Sequence, residues 1–369
     1  MSEQSIYVAN ALEQARQDFV LGLKYLANGP AQQQVREAWR ARIEPQLAAH
    51  LGGKPTRREE MQQALQQTPE FQRWAVLTHH SQTMMWQSIE ATTRRVESDA
   101  KRRFAAVPAR TCGSLQLDPT LTIPSPISDT EIHRQPGGYV GVRDEDDVAP
   151  GLRYIGASLI YGVGKGQRHA TGDSRANLLL TELDKRCPGW QPRRILDLGC
   201  GIGVHSQAIA RAFPQAEYVA VDVAAGLLRF AHLIAAERGV PIHFRQADAA
   251  STGLEAESFD LVISNIFFHE TNPRHLPAIL RECRRVLAPG GMMLHVDVAT
   301  QVTRLGLDDQ VMNDWQVKWN GEPFWTGFAE TDMLAEMCSA GFPAEHCFAD
   351  YALRPGGATY IFGAGLPRP

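Results

Sequence analysis

Two patterns of apolar and polar positions divide this chain. Over residues 1–106 the apolar side chains recur at steps of three and four, as on one face of a helix. From about residue 190 onward, short apolar runs alternate with segments of helical periodicity. This alternation predicts an α/β fold whose mostly parallel sheet has helices on both faces. We therefore predict an all-helical N-terminal domain over 1–106, a connector over 107–150 and an α/β domain over 151–369.

The N-terminal part carries two apolar stripes. The first consists of Val8, Leu12, Ala15, Phe19, Leu23 and Leu26, and the second of Val35, Trp39, Ile43, Leu47 and Leu51. Stripes this apolar need a partner surface, because exposed apolar area is costly in water. We expect the helical domain either to cover the ligand site of the α/β domain or to form a homodimer with its own copy.

Helix boundaries in this part follow from local signals. We expect a helix end at 28–30, where Asn, Gly and Pro follow one another, and a kink at Pro45. Thr56 followed three residues later by Glu59 fits a capping box. Thr68 and Pro69 then begin a long helix, since proline is favoured at the first helical position.

Metal-binding residues do not group in the sequence. His79 and His80 are adjacent on the long helix, so their side chains point about 100° apart and cannot easily share one ion. We interpret them as packed helix residues. The six cysteines are scattered, without a close pair that would indicate a zinc site. The sequence therefore predicts no metal.

Residues 107–150 are interrupted by prolines and glycines, which excludes a long helix. The acidic run 144–147 fits a solvated loop. Apolar residues such as Leu115, Ile132 and Tyr139 are available to anchor the segment. We predict an ordered connector.

One stretch of the α/β part carries recognisable chemistry. An apolar run ends in Asp197, Leu198 and Gly199, with further glycines at 201 and 203, and a helical pattern follows. A second apolar run ends in Asp222. Glycines permit a tight turn and close approach of a ligand, and the following helix offers free N–H groups. An acid at the second strand end can bind both hydroxyls of a ribose, so we predict a nucleoside-binding crevice.

The spacing of these glycines shows whether the predicted ligand is a dinucleotide or another nucleoside. A dinucleotide site has the pattern Gly-x-Gly-x-x-Gly, whereas this chain has Gly-x-Gly-x-Gly with Asp197 just before it. An acid there suits a cationic amino group better than a pyrophosphate. The stretch 196–203 resembles the first motif of the class I S-adenosylmethionine (SAM)-dependent methyltransferases. The segments 246–248, 258–265 and 287–291 resemble later motifs of that family in the same order, so the resemblance covers about 151–363.

The resemblance implies a seven-stranded, mostly parallel sheet whose last two strands, near 344–352 and 358–363, are antiparallel. It also implies SAM as cofactor and S-adenosyl-L-homocysteine as product. Asp197 and the glycines would line the methionine end, Asp222 the ribose and Asp248 the adenine. The full set of implied cofactor residues is Asp197, Gly199, Cys200, Gly201, Gly203, His205, Asp222, Asp248, Ser264, Asn265 and Tyr161.

The segment before the first strand leaves two alternatives. Residues 161–169 are rich in glycine and basic residues. In many members of the family, the segment at this place folds over SAM, so Tyr161, Lys165 and Arg168 would reach the methionine carboxylate or the substrate. The alternative is a mobile surface turn.

Acceptor-binding residues are expected in two places. Just past the fourth strand of the motif series, Asn265 and His269 are the candidate catalytic residues: His269 would be a general base or would only orient the loop. Phe268 beside them is a candidate substrate contact. The aromatic insert, residues 302–330, supplies Trp319 and Trp325. These two side chains would contact a flat or cationic substrate, or would instead pack against the helical domain.

Composition narrows the function classes. A formal net charge of −4 leaves no electrostatic footprint for nucleic acid. The longest apolar run is shorter than a membrane span, and the N-terminus has no signal pattern, so we expect a cytoplasmic protein without membrane partners. We predict a SAM-dependent enzyme that methylates a small molecule. The alternatives are a protein or RNA methyltransferase, or a SAM-binding protein without methyl transfer.

Overall fold

The fold is taken from a computed structural model of the chain. It describes residues 6–108, 113–125, 127–164, 173–354 and 357–367; of 161–164, 173–175, 354 and 357 only the backbone is described. Among the described residues, none of the helices combines the length and the apolarity that a bilayer-spanning segment needs.

The N-terminal part is helical from residue 11 to 105. Its helices are α1 (Ala11–Leu26), α2 (Gln32–Ala38), α3 (Glu44–Leu51), α4 (Arg58–Gln66) and α5 (Pro69–Ala105). The expected helix end at Pro30 is wrong: a π-helical turn over Ala27–Ala31 contains this proline and leads directly into α2. A second π turn, Trp39–Ile43, precedes α3, where Pro45 occupies the first turn. Pro30 lies inside a π turn and Pro45 lies just after one, and the chain remains helical through both positions.

Helix caps match the sequence at one place and differ at another. The side chain of Thr68 accepts the N–H of Phe71, and Pro69 begins α5, as predicted. The capping box expected at Thr56 is absent, since Arg57 is the N-cap of α4 and makes no side-chain cap.

The two adjacent histidines of α5 differ in burial. His80 is exposed rather than packed, while His79 is half-buried with its ring 5.5 Å from that of Trp319.

Helix α1 turns its predicted apolar stripe toward solvent and polar side chains toward the protein, opposite to the prediction. Its side toward α5 buries Glu13, Gln17 and Lys24. The predicted apolar stripe lies on the outer side instead: Leu12 and Phe19 are 63% and 60% exposed. The buried polar side chains find partners, since Lys24 Nζ donates to Gln82 at 2.6 Å, and Glu13 pairs with Arg95 at 2.7 Å.

The remaining part is an α/β sheet with helices on both faces. Its strands are β1 (Ser114–Gln116), β2 (Arg194–Leu198), β3 (Glu217–Asp222), β4 (His243–Gln246), β5 (Phe259–Asn265), β6 (Leu287–Val298), β7 (Cys347–Arg354) and β8 (Gly357–Gly365). Its helices are α6 (Ala149–Gly164), α7 (Asp173–Arg186), α8 (Val204–Ala212), α9 (Ala225–Glu237), α10 (Leu276–Val286), α11 (Leu307–Trp319), α12 (Trp325–Glu330) and α13 (Met333–Ser339).

The strand order is β1-β4-β3-β2-β5-β6-β8-β7, and only the pairs with β8 are antiparallel. The mostly parallel sheet and the antiparallel last pair confirm the prediction. The eighth strand, β1, was not expected: it comes from the connector and pairs with β4 at the sheet edge. Successive residues of β2 point to opposite faces, so Leu196 packs in one core and Ile195 in the other.

Two further cores attach the helical part. In the first, Met85 and Ile89 of α5 pack with Leu152 of α6 and Phe230 of α9. In the second, Val35, Phe71 and Trp74 pack with Trp315 of α11. The helical part therefore rests on the α/β part on both sides of the carboxyl ends of the strands, where a ligand site is expected.

Candidate functional site

The glycine turn after β2 opens toward the carboxyl edge of the sheet. Gly199 and Gly201 both have positive φ, 63° and 55°. A Cβ on Gly199 would lie 2.1 Å from the ring of Phe267, so only glycine fits there. A Cβ on Gly201 would meet no atom closer than 3.9 Å, the ring of Tyr154. The backbone at Gly201 is therefore open to a ligand.

Asp222 ties the second strand to this turn. One carboxylate oxygen accepts the N–H of Gly201 at 2.8 Å, and the other accepts the N–H of Ala224 at 2.9 Å. Each oxygen keeps a lone pair for a further donor. Burial raises the pKa of Asp222 above its usual range. Asp248, after β4, lies in the same wall and accepts the N–H of Ala250 at 2.9 Å.

A cavity of about 1440 Å³ lies in front of these residues. Its back wall is the carboxyl edge of the sheet, and its front includes Trp86 of α5, Tyr154 of α6 and Trp325 of α12. Pockets for one small ligand usually measure about 300–1000 Å³. This cavity has room for two molecules side by side.

The structure brings together most of the predicted site residues. The predicted residues that line the cavity are Gly199, Cys200, Gly201, His205, Asp222, Asp248, Asn265, His269 and Trp325. The side-chain oxygen of Asn265 is buried without a hydrogen-bond partner, which leaves an acceptor free for a ligand. The side chain of Tyr161, together with Lys165 and Arg168, lies outside the described residues.

Asp197 lies behind the wall instead of in it. Its buried carboxylate accepts from Ser206 Oγ at 2.6 Å and from Tyr218 Oη at 3.0 Å, and His205 Nε2 lies 3.0 Å away. His205 stands between this carboxylate and the cavity. The acid before the glycines therefore holds α8 and β3 to β2 and would act on a ligand through His205.

Three other predicted contacts are also placed behind the wall. Ser264 is fully buried and pairs with His295 Nδ1 at 2.8 Å. Phe268 is fully buried in the core, with its ring 5.1 Å from that of Phe362. Gly203 packs close to Phe244. Because Phe268 points into the sheet core, the prediction of a substrate contact is replaced by a core position.

The two predicted tryptophans lie in different surroundings, one at the cavity and one against a hydrophobic core. Trp325 lines the cavity, and its ring lies 5.4 Å from that of His269, edge to face. Trp319 stacks on Trp315 at 5.1 Å, in the core that includes Trp74. The alternative of packing against the helical part therefore applies to Trp319, and contact with the cavity applies to Trp325.

His269 is held between two carboxylates. Nδ1 lies 2.6 Å from Asp297 Oδ1, and Nε2 lies 3.3 Å from Glu270 Oε1. Burial alone would lower the pKa of His269, but the charges of Asp297 and Glu270 outweigh it and raise the pKa to about 10. The imidazole is therefore protonated at neutral pH in this arrangement.

Glu270 continues into a cluster that the sequence did not reveal. His133 Nε2 lies 2.7 Å from Glu270 Oε1, and His133 Nδ1 lies 2.7 Å from Glu322 Oε1. Tyr139 also donates to Glu270 at 3.3 Å. Burial alone would lower the pKa of His133, but the two glutamates raise it well above its usual range. His133 and Tyr139 come from the connector and Glu322 from the loop before α12, far from the motifs.

Part of the chain is similar to known proteins. Residues 195–291 match the family described as a methyltransferase domain. A malonyl-[acyl-carrier protein] O-methyltransferase of Methylococcus capsulatus is 35% identical over 46% of this chain and 53% of its own length. A ubiquinone biosynthesis O-methyltransferase of Cereibacter sphaeroides is 30% identical over 39% of this chain and 57% of its own.

The chain thus spans about half the length of the curated relatives it matches. Among solved structures, it is similar to phosphoethanolamine N-methyltransferase 2 of Haemonchus contortus in complex with SAM. That likeness has a TM-score of 0.41 and 15% identity, and covers 52% of this chain and 53% of the other.

Proposed function

We infer that this chain, which carries a methyltransferase domain of the class I, SAM-dependent family, transfers the methyl group of SAM to a small-molecule acceptor. The observation that carries the proposal is the glycine turn with Asp222 beside it, at one end of a cavity with room for two molecules. Such a cavity can hold a nucleoside cofactor and an acceptor together.

The residues present fit the cofactor. Asp222 keeps a lone pair on each carboxylate oxygen for the ribose hydroxyls, and the open backbone at Gly201 permits close approach. Asp248 stands where it can accept from the adenine amino group, and Asn265 offers an unpartnered oxygen. SAM supplies a methyl group on a positively charged sulfur, which is intrinsically electrophilic. The task of the protein is to align the acceptor and exclude water.

We place the acceptor between His269, Trp325 and the connector. Trp325 gives an apolar face and an unpartnered indole N–H, which suit a flat, partly polar molecule. As imidazolium, His269 places a positive charge beside an acceptor oxygen and stabilises negative charge on it, while its two N–H groups face Asp297 and Glu270. A base role would require His269 to lose the proton that these two carboxylates favour, so we assign it electrostatic stabilisation.

The first test is transfer of an isotope label from SAM into an extract of the organism that encodes the chain, divided by molecular size. We expect label in the small-molecule fraction, where mass spectrometry would identify the acceptor. Label in protein or RNA would contradict the proposal and support a macromolecular substrate. SAM binding without label above a heat-inactivated control would support a SAM-binding protein that transfers no methyl group.

We also propose that the chain forms a homodimer through the outer side of α1, and that 1–106 is the dimerising domain. The exposed stripe Val8, Leu12, Phe19 and Leu26 recurs at steps of four, seven and seven, which fits packing against an identical copy. Val8 precedes α1, and the rise from Leu12 to Leu26 (26 − 12 = 14 residues) corresponds to about 21 Å of helix. The inner side of α1 is occupied by polar contacts to α5, so the apolar side has no partner within the described residues.

Light scattering after size-exclusion chromatography tests this surface. The chain should run at twice its own mass, and Phe19→Glu should convert it to a monomer with an unchanged melting temperature or one lowered by a few degrees. Val76→Glu is the matched control, because Val76 is similarly exposed, at 55%, on α5. A monomeric unaltered chain, or a Phe19→Glu variant that stays dimeric, would exclude this interface.

A further inference from the structure

We propose that His133, Glu270 and Glu322 form a binding site for a divalent metal ion at the acceptor end of the cavity. One donor atom from each residue lies within 4.8 Å of the donor atoms of the other two. All three residues line the cavity. They come from three separate segments, so the fold itself brings them together.

Hydrogen bonds to the backbone of His133 hold this residue against the Glu322 loop and against α5. The N–H of His133 donates to the carbonyl of Gly321, next to Glu322, at 2.7 Å. The carbonyl of His133 accepts from Gln82 at 2.8 Å and from Trp86 at 2.7 Å. His133 itself has a φ of 55°, an uncommon conformation for a residue with a side chain. The surroundings thus hold this histidine in place at a cost in backbone energy.

Some polar atoms of the cluster have no hydrogen-bond partner. Glu322 Oε2 and Glu270 Oε2 are buried without a hydrogen-bond partner, and the side chain of Glu322 is only 5% exposed. His133 Nδ1 lies 2.7 Å from Glu322 Oε1 but makes no aligned hydrogen bond. Buried acceptors without donors are costly. A cation between them would satisfy these lone pairs, and short contacts without hydrogen-bond alignment are what ligands around a shared ion make.

The donor set indicates which ion. One imidazole and two carboxylates suit first-row ions such as Mn²⁺, Fe²⁺ or Zn²⁺ better than an ion that prefers only oxygen. Three protein ligands leave coordination positions open on the cavity side. This role rests on the proposed function: the open positions would take a hydroxyl oxygen of the acceptor. A bound cation lowers the pKa of such a hydroxyl and fixes its orientation. The substrate class is then an oxygen acceptor.

The sequence predicted no metal, and the reason is spacing. The ligands lie 137 and 52 residues apart along the chain (270 − 133 and 322 − 270), so they form no local motif.

The experiment is direct binding of Mn²⁺ alone to the full chain after treatment with EDTA, measured by calorimetry and by electron paramagnetic resonance. Mn²⁺ avoids the cysteine thiols that could capture Zn²⁺ elsewhere. We expect one ion per chain and nitrogen coupling from one imidazole in the resonance spectrum. Glu322→Gln should weaken binding at least tenfold. Glu330→Gln is the matched control, because Glu330 is exposed and paired with Arg58 outside the cavity.

Each outcome decides the proposal. Failure of the unaltered chain to bind Mn²⁺ would overturn it and leave His133 as an imidazolium between two glutamates. Binding without nitrogen coupling would overturn it too, whether or not the variants fold. Because this measurement needs neither SAM nor turnover, it is separate from the test of methyl transfer. If both proposals hold, EDTA should abolish label transfer while SAM binding changes less than twofold.

Discussion

The end of the cavity at Gly201 and Asp222 is assembled from neighbours in the sequence, whereas the end at His133 and His269 is assembled from distant segments. At the first end, a glycine turn and two strand tips are connected by a hydrogen bond from Gly201 to Asp222. At the second, the connector, the loop after β5 and the loop before α12 meet around Glu270. The first end is polar backbone with the carboxylates of Asp222 and Asp248, whereas the second is a dense cluster of charged side chains.

This difference separates two tasks. The residues of the end at Gly201 and Asp222, where we place the nucleoside, all lie within 195–291, the range that matches the methyltransferase-domain family. The acceptor end combines His269 and Glu270, inside this range, with His133, Glu322 and Trp325 from segments outside it. Specificity for the acceptor should therefore be determined by the connector and the aromatic insert, and variants at the two ends should affect different measured quantities.

The largest effect is expected at the acceptor end. His269→Ala removes a charged group that we place against the acceptor, and we expect kcat to fall by about 10² or more. The affinity for SAM, measured by calorimetry, should change less than twofold. His346→Ala, an exposed histidine near β7, is the control. Equal losses in kcat and SAM affinity would show that the two ends are not separable.

The second-largest effect is expected on SAM affinity, at the end of the cavity formed by Gly201 and Asp222. Asp222→Ala removes the carboxylate to which we assign two hydrogen bonds from the ribose, and it should weaken SAM binding about 30-fold, or about 2 kcal/mol. The melting temperature without SAM reports separately on the lost contacts to Gly201 and Ala224. Asp350→Ala, at an exposed position on β7, is the matched control. Unchanged SAM affinity in Asp222→Ala would exclude the ribose assignment.

The sequence predicted those parts of the fold that depend on local order. The apolar runs gave the strands, and the glycine turn with its acid at position 222 gave one end of the cavity. The motif also assigned Asp197 and Ser264 to the ligand, but both are buried behind the wall with partners of their own. A pattern of residue types along the chain does not tell which side of a strand faces a cavity when both sides are covered.

The rest of the site depends on contacts between separate segments: His269 and Asp297 are 28 residues apart, and His133 and Glu270 are 137 residues apart (270 − 133). His133 lies in a connector without periodicity, and hydrogen bonds to Gly321 and to α5 hold it beside Glu270. For α1, the apolar stripe was found correctly, but the side that faces the protein is determined by polar partners on α5. Hydrophobic periodicity alone therefore predicted the helix and could not predict its orientation.

A smaller effect, on the KM for the acceptor, is expected from the two tryptophans of the aromatic insert, because only one of them lines the cavity. Trp325→Leu should raise the KM for the acceptor about tenfold, or about 1.4 kcal/mol, because it removes an aromatic face from the cavity. Trp319→Leu changes a stacked residue outside the cavity and should lower stability with little effect on KM. A rise in KM in Trp319→Leu and not in Trp325→Leu would reverse this assignment.

The smallest effect concerns the helical part that covers the acceptor end. The hydrogen bond from Arg95 lowers the pKa of Glu13 to about 2, against about 4.3 in the unfolded chain. Because the folded-state pKa is the lower one, the stabilisation is complete above pH 4.3 and is lost as the pH falls toward 2. The side chain of Arg95 is 42% exposed, so we expect only about 1 kcal/mol.

Urea unfolding of the chain and of Glu13→Gln measures this contribution. The variant should be less stable by about 1 kcal/mol at pH 7, and the difference should shrink steadily between pH 4.5 and pH 3. The Nε2 amide of the new glutamine would oppose Arg95, while its oxygen can still accept the N–H of Asn10, so the cap of α1 is retained. A difference that stays constant over this pH range would mean that the buried polar side of α1 contributes through packing and not through charge.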